Sequence, residues 1–146
     1  MTTTTQNYTP VQVLAGLIGL EEKFTGGAFT MKSRESGKQF TYKLKKRLWK
    51  GIYYIHCYVQ THYMKFEYIG YYQTGKIIFK GNENNSIQAQ GLKWLIKKTR
   101  EQKTAIISAQ SEILHLGKCL KCGKKLTDSE SIKMGLGSYC QKSLNL

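Results

Sequence analysis

The chain has 146 residues, enough for one ordinary domain or for a compact domain of about 100 residues plus a small module. Lys and Arg total 23 against 9 Asp and Glu, a formal net charge of +14 that invites a polyanionic partner. No apolar run approaches the roughly 20 residues of a membrane-spanning helix, and the Thr-rich start lacks the order of a secretory signal, so a cytoplasmic location and no membrane partner are expected.

The charge is −1 over residues 1–30, +7 over 31–60, +4 over 61–112 and +4 over 113–146. It is therefore spread along the folding part of the chain. Twenty of the 23 cations are lysine, in a chain also rich in Asn, Ile and Tyr, but compositional bias of that kind does not by itself remove acids.

Residues 1–7 are expected to be disordered. Pro10 then opens a short helix whose Val11, Val13, Leu14, Leu17, Ile18 and Leu20 form one broad apolar face, suited to capping a core. From Ala28 the period becomes two: Phe29–Arg34 and Gln39–Lys45 alternate about the turn signal Glu35-Ser36-Gly37-Lys38, the pattern of a β-hairpin. Alternation sends Phe29, Met31, Phe40, Tyr42 and Leu44 to one face, and Lys32, Arg34, Lys43, Lys45 and Arg47 to the other. Like charges facing each other across strands repel, which makes that polar face a candidate phosphate-binding surface.

Two further strands are expected over Gly51–Thr61 and Tyr63–Tyr72, and a fifth over Lys76–Lys80. They are rich in tyrosine. Tyr54 and Tyr58 are the candidates for stacking on bases, although tyrosine is also a good strand former that packs cores. Asn84-Asn85-Ser86 caps a helix over Ile87–Lys103, with Ile87, Leu92, Trp94, Leu95 and Ile96 on one stripe and a solvated basic back. Ala105–Leu114 leads to the C-terminal region.

That region holds His115-x3-Cys119-x2-Cys122-x17-Cys140. A Cys-x-x-Cys-Gly turn brings two thiolates to one cation, and a distant third cysteine closes the site against a second piece of chain. The expected cofactor is a structural Zn²⁺ bound by His115, Cys119, Cys122 and Cys140, with Asp128, His56 or His62 as other sources of the fourth ligand. Cys57, in mid-strand, reads as a small buried hydrophobe. Residues 113–146 carry too little apolar bulk to fold without a staple, so the expected division is 8–112 and 113–146.

The C-terminal stretch resembles a small zinc-ribbon or treble-clef-like domain of unknown function found in bacterial, phage and plasmid proteins. Gly117, Cys119, Cys122, Gly123, Lys124, Leu126, Thr127, Ser131, Ile132, Gly135, Gly137 and Cys140 carry the likeness. Leu136 and Ser138 depart from the isoleucine and proline frequent there. Upstream, Phe29–Tyr42, Tyr68-Ile69-Gly70 and the helix around Trp94 extend it more weakly. The resemblance implies phage or mobile-element origin but no activity.

The expected fold is α+β: an antiparallel sheet of about four to five strands packed by helices, with the small metal module at its C-terminal end. The expected function is that of a nucleic-acid-binding accessory protein. The alternative is a phage-encoded, anti-CRISPR-like inhibitor whose partner is a host nucleic-acid-dependent defence complex. A metal-dependent nuclease is disfavoured, because the nine acids form no two-metal constellation and no phosphate loop or deaminase signature occurs.

Overall fold

The computed structural model describes residues 9–19, 27–62, 65–73, 76–81 and 86–143; the expected disorder over residues 1–7 lies outside them, as do Leu20 and Tyr63. The first helix, α1 (Pro10–Gly19), starts in a reciprocal cap. Thr9 Oγ1 accepts from Gln12 N–H at 3.3 Å, while Gln12 Oε1 accepts from Thr9 N–H at 2.9 Å. Two of the helix's orphan donors are thereby satisfied.

Six strands follow the pattern of alternation: β1 (Gly27–Ser33), β2 (Gln39–Trp49), β3 (Ile52–His62), β4 (Lys65–Gln73), β5 (Lys76–Phe79) and β6 (Ser111–His115). They form one antiparallel sheet in the order β5-β4-β3-β2-β1-β6. Lys50 at φ 50° and Gly51 at φ 77° join β2 to β3, because a two-residue hairpin loop needs positive φ at both positions. Between sheet strands β5 and β6 run α2 (Ile87–Arg100) and α3 (Thr104–Gln110). Ser86 caps α2 by accepting the Ala89 N–H at 3.0 Å.

The helices cover one sheet face only. Phe29, Met31, Tyr42, Leu44, Ile55, Cys57, Val59, Ile69 and Ile113 point into the core, where Val13, Leu14, Leu92, Leu95, Ile96 and Ile107 meet them. Tyr42 is fully buried and donates its phenol hydrogen to the Gln88 carbonyl at 2.7 Å, so its polar end is satisfied at the start of α2. Burial drives its pKa upward and keeps the phenol protonated.

The sheet has one strand more than expected at its far edge. The expected boundary after residue 112 falls inside β6, which pairs with β1 from Ser33↔Ser111 to Phe29↔His115. Beyond it, Cys119, Leu120, Leu126, Leu136 and Cys140 belong to the same buried cluster as the sheet residues. The closest join is at Gly27, where a Cβ would stand 2.1 Å from the Leu120 carbonyl oxygen. Only glycine lets the two backbones approach so closely.

Gly27→Ala is expected to destabilise the chain by about 1–3 kcal/mol, as overpacking against backbone does, and to weaken metal retention with it. Denaturant melts with metal present, compared with the wild-type chain, measure both; an unchanged midpoint and unchanged metal content would show that the contact carries no load.

Candidate metal centre and open sheet face

The three C-terminal cysteines are set by two short structures. Residues 117–126 form a tight ribbon in which Cys119 N–H donates to Lys124 O at 2.7 Å, Gly123 N–H to Cys119 O at 2.9 Å and Leu126 N–H to Gly117 O at 2.9 Å. These bonds turn Cys119 and Cys122 towards one point. The third cysteine arrives on α5 (Ser138–Ser143), which follows α4 (Ser129–Met134) after the turn at Gly135. Asp128 caps α4 by accepting the Ser131 N–H at 3.1 Å, and Leu120 N–H donates to Gly135 O at 2.8 Å, docking the turn onto the ribbon.

The sulfur atoms of Cys119, Cys122 and Cys140 lie within 4.8 Å of one another, close enough to hold a metal ion. Cys119 and Cys140 are buried and Cys122 is partly exposed. Burial opposes ionisation of Cys119, but N–H groups of Gly137, Cys122 and Lys121 outweigh it and hold the thiol below its ordinary pKa. Gly137 N–H lies 3.4 Å from that sulfur. Cys140 is pushed up to about 12, by burial first and then by the neighbouring sulfurs. A cation among them would offset that repulsion.

His115 does not join the group. Its Nδ1 accepts the Gly117 N–H at 3.0 Å, and its Nε2 is hydrogen-bonded to the Ile132 carbonyl, so both ring nitrogens are engaged. Spacing alone suggested a ligand; the strand fixes the ring as a clamp from β6 onto α4. Of the other expected sources, Asp128 lines the same depression as the three cysteines, where one of its carboxylate oxygens caps α4, whereas His56 lies on the sheet and His62 Nδ1 is 3.3 Å from Thr61 Oγ1. Cys57 is fully buried in the sheet core, its thiol pushed up to about 12 by burial, as a small apolar residue would be.

The other face of the sheet carries no helix among the described residues. Its cations sit opposite aromatic rings across the β2–β3 ladder: Lys43↔Tyr58, Lys45↔His56 and Arg47↔Tyr54. Neither strand contains an acid, and Glu67, in register with Val59, belongs to the opposite side. Lys32 shares the face at its edge, opposite Gln39 and Glu112. Arg34, just past the last residue of β1, stands at the same edge, where it donates from Nε to Ser108 O at 2.8 Å and pairs with Glu112 at 3.2 Å.

Several residues of this face were not singled out by sequence. A bulge shifts the β3–β4 register from Cys57↔Gly70 to Tyr58↔Tyr68, so Tyr68 and Tyr71, three apart, both reach the open face. Gly70 in a strand is the signal that could have revealed it. Lys118 joins the basic surface too, lining with Lys43, Lys45 and Phe66 a depression of about 370 Å³ that ends at Cys122 and Gly123. The Lys43 ammonium lies 5.7 Å from the Phe66 ring centroid.

Among the comparisons with known proteins, a family of unknown function, DUF6011, matches over residues 109–145. No curated protein and no solved structure matches. The matched stretch takes in β6, the ribbon and all three metal-site cysteines.

His115→Ala is expected to keep full metal stoichiometry, whereas Cys122→Ser loses most of it. Metal per chain after dialysis, with cobalt substitution to count sulfur ligands by their absorption, tests the assignment. Loss of metal in the histidine variant with the fold intact would restore His115 to the coordination shell.

Proposed function

We propose that this protein is a nucleic-acid-binding accessory protein that meets phosphates with its open sheet face and is stapled by a structural zinc ion. One observation carries the reading: the alternation of Lys43, Lys45 and Arg47 with ring-bearing partners across β2–β3, on a face with no acid between them. Cations packed together in this way repel one another, and a polyanion relieves the repulsion while releasing its own counter-ions. The depression lined by Lys118 continues the basic track to the metal ribbon.

Zinc suits the thiolate set and the burial of two of its three members. Bound there, it supplies folding energy by holding the ribbon to α5. Zinc-ribbon or treble-clef-like character and a phage or mobile-element source belong to the same reading. An enzymatic role is not part of this reading.

Affinity for DNA or RNA is expected to fall steeply with salt, with a log–log slope of about −3.5 to −4.5 for about five phosphate contacts. The double variant Lys43→Ala/Lys45→Ala should make that slope shallower by about 2 and weaken all sequences alike. Mobility-shift titrations over a salt series measure both. A flat salt response, or binding indifferent to the double substitution, would sink the proposal; a partner retained from host lysate after nuclease digestion would instead assign the face to an acidic protein surface.

A further inference from the structure

The hairpin arm gives the open face a feature that phosphate binding does not use. Residues 46–49 of β2 extend past the last β1 pair, Gly27↔Leu44, and carry Trp49 beyond the body of the sheet with 61% of its surface exposed. At the base of the arm, Trp49, Tyr54, His56, Tyr68 and Tyr71 line a cleft of about 540 Å³, with Arg47 among them. That volume lies within the roughly 300–1,000 Å³ of small-molecule sites.

The rings of Trp49, Tyr54 and Tyr71 meet at steep angles, while His56 and Tyr68 are stacked. Trp49 and Tyr54 meet at 60° with centroids 6.5 Å apart, and Tyr54 and Tyr71 at 80° and 5.6 Å. His56 lies nearly parallel to Tyr68, at 18° and 5.3 Å. Edge-to-face neighbours do not close into a single stack, so Trp49, Tyr54 and Tyr71 do not cover one another's π-faces. Burial, and then the Arg47 cation, lower the His56 pKa and keep its ring neutral at pH 7. The cleft therefore offers flat uncharged surfaces beside one guanidinium, and the charge of its surroundings selects an anionic occupant.

Resting on the nucleic-acid reading above, we infer that this cleft receives an unstacked nucleobase, with Arg47 meeting its phosphate, so that the protein selects single-stranded over double-stranded nucleic acid. In a duplex each base is covered above and below by its neighbours, and its π-face cannot enter an aromatic cage. An unpaired strand presents that face freely, and stacking on aromatic side chains accepts any base. Lys43 and Lys45 supply the track along which the remaining phosphates run, outside the cleft.

The test uses the full metal-loaded chain carrying Trp94→Phe, which leaves Trp49 as the single tryptophan. Oligo(dT), oligo(U), an abasic strand of equal length and charge, and a blunt duplex are titrated while Trp49 fluorescence and affinity are read. Quenching by oligo(dT), oligo(U) or both, with the abasic strand and the duplex binding more weakly and without quenching, supports the inference. Tyr54→Leu and Trp49→Ala should each lower single-strand affinity by about 5- to 150-fold, the equivalent of about 1–3 kcal/mol per stacked base, while Tyr54→Phe retains it. Circular dichroism confirms that each variant is folded. Equal or tighter duplex binding, or indifference to Tyr54→Leu and Trp49→Ala while Lys43→Ala/Lys45→Ala still weakens binding, overturns the cleft and leaves the basic face standing. Absence of binding to every strand overturns both.

Discussion

The pairing of β6 with β1 is the constraint on which the rest of the molecule depends. It places His115 opposite Phe29 and delivers the following ribbon to the end of the sheet, where Gly27 admits the Leu120 carbonyl. From there Leu120, Leu126 and Leu136 share the apolar interior with Phe29 and Tyr42. The metal-site cysteines are thus not an appendage. Their geometry is inherited from a strand ladder, and that ladder's edge is in turn held by what the cysteines organise.

A second consequence of one-sided packing is electrostatic. Because α1, α2 and α3 cover only the apolar side, the alternation of β2 leaves Lys43, Lys45 and Arg47 together on the other. Solvent screening makes any single ring-to-cation contact here worth little. The field of the row as a whole is what an incoming polyanion meets first.

Most of the fold was legible where a local pattern coincides with a structural period. The β1–β2 hairpin followed from Phe29 to Leu44 alternating about Ser36-Gly37, and α2 from its Ser86 cap and apolar stripe. The sheet edge was not legible, because Ser111–His115 offers only five residues and two inward side chains, Ser111 and Ile113. Its partner lies far back in the chain, and no local rule names it. The cysteine triad was readable from spacing, since the chemistry of the donor set demands it. What spacing cannot say about His115 is that both ring nitrogens are engaged by Gly117 and Ile132. The aromatic convergence at Tyr68 and Tyr71 needed the bulge, which breaks the very period used to read the strands.

The β1–β6 ladder also bears on the order in which the chain folds. The turns from β1 to β5 close between sequence neighbours, so four strand pairings can form quickly and with little loss of loop entropy. The fifth pairing must wait for α2 and α3 to be made and crossed. Until then β1 presents an open hydrogen-bonding edge, the kind of edge on which chains associate wrongly.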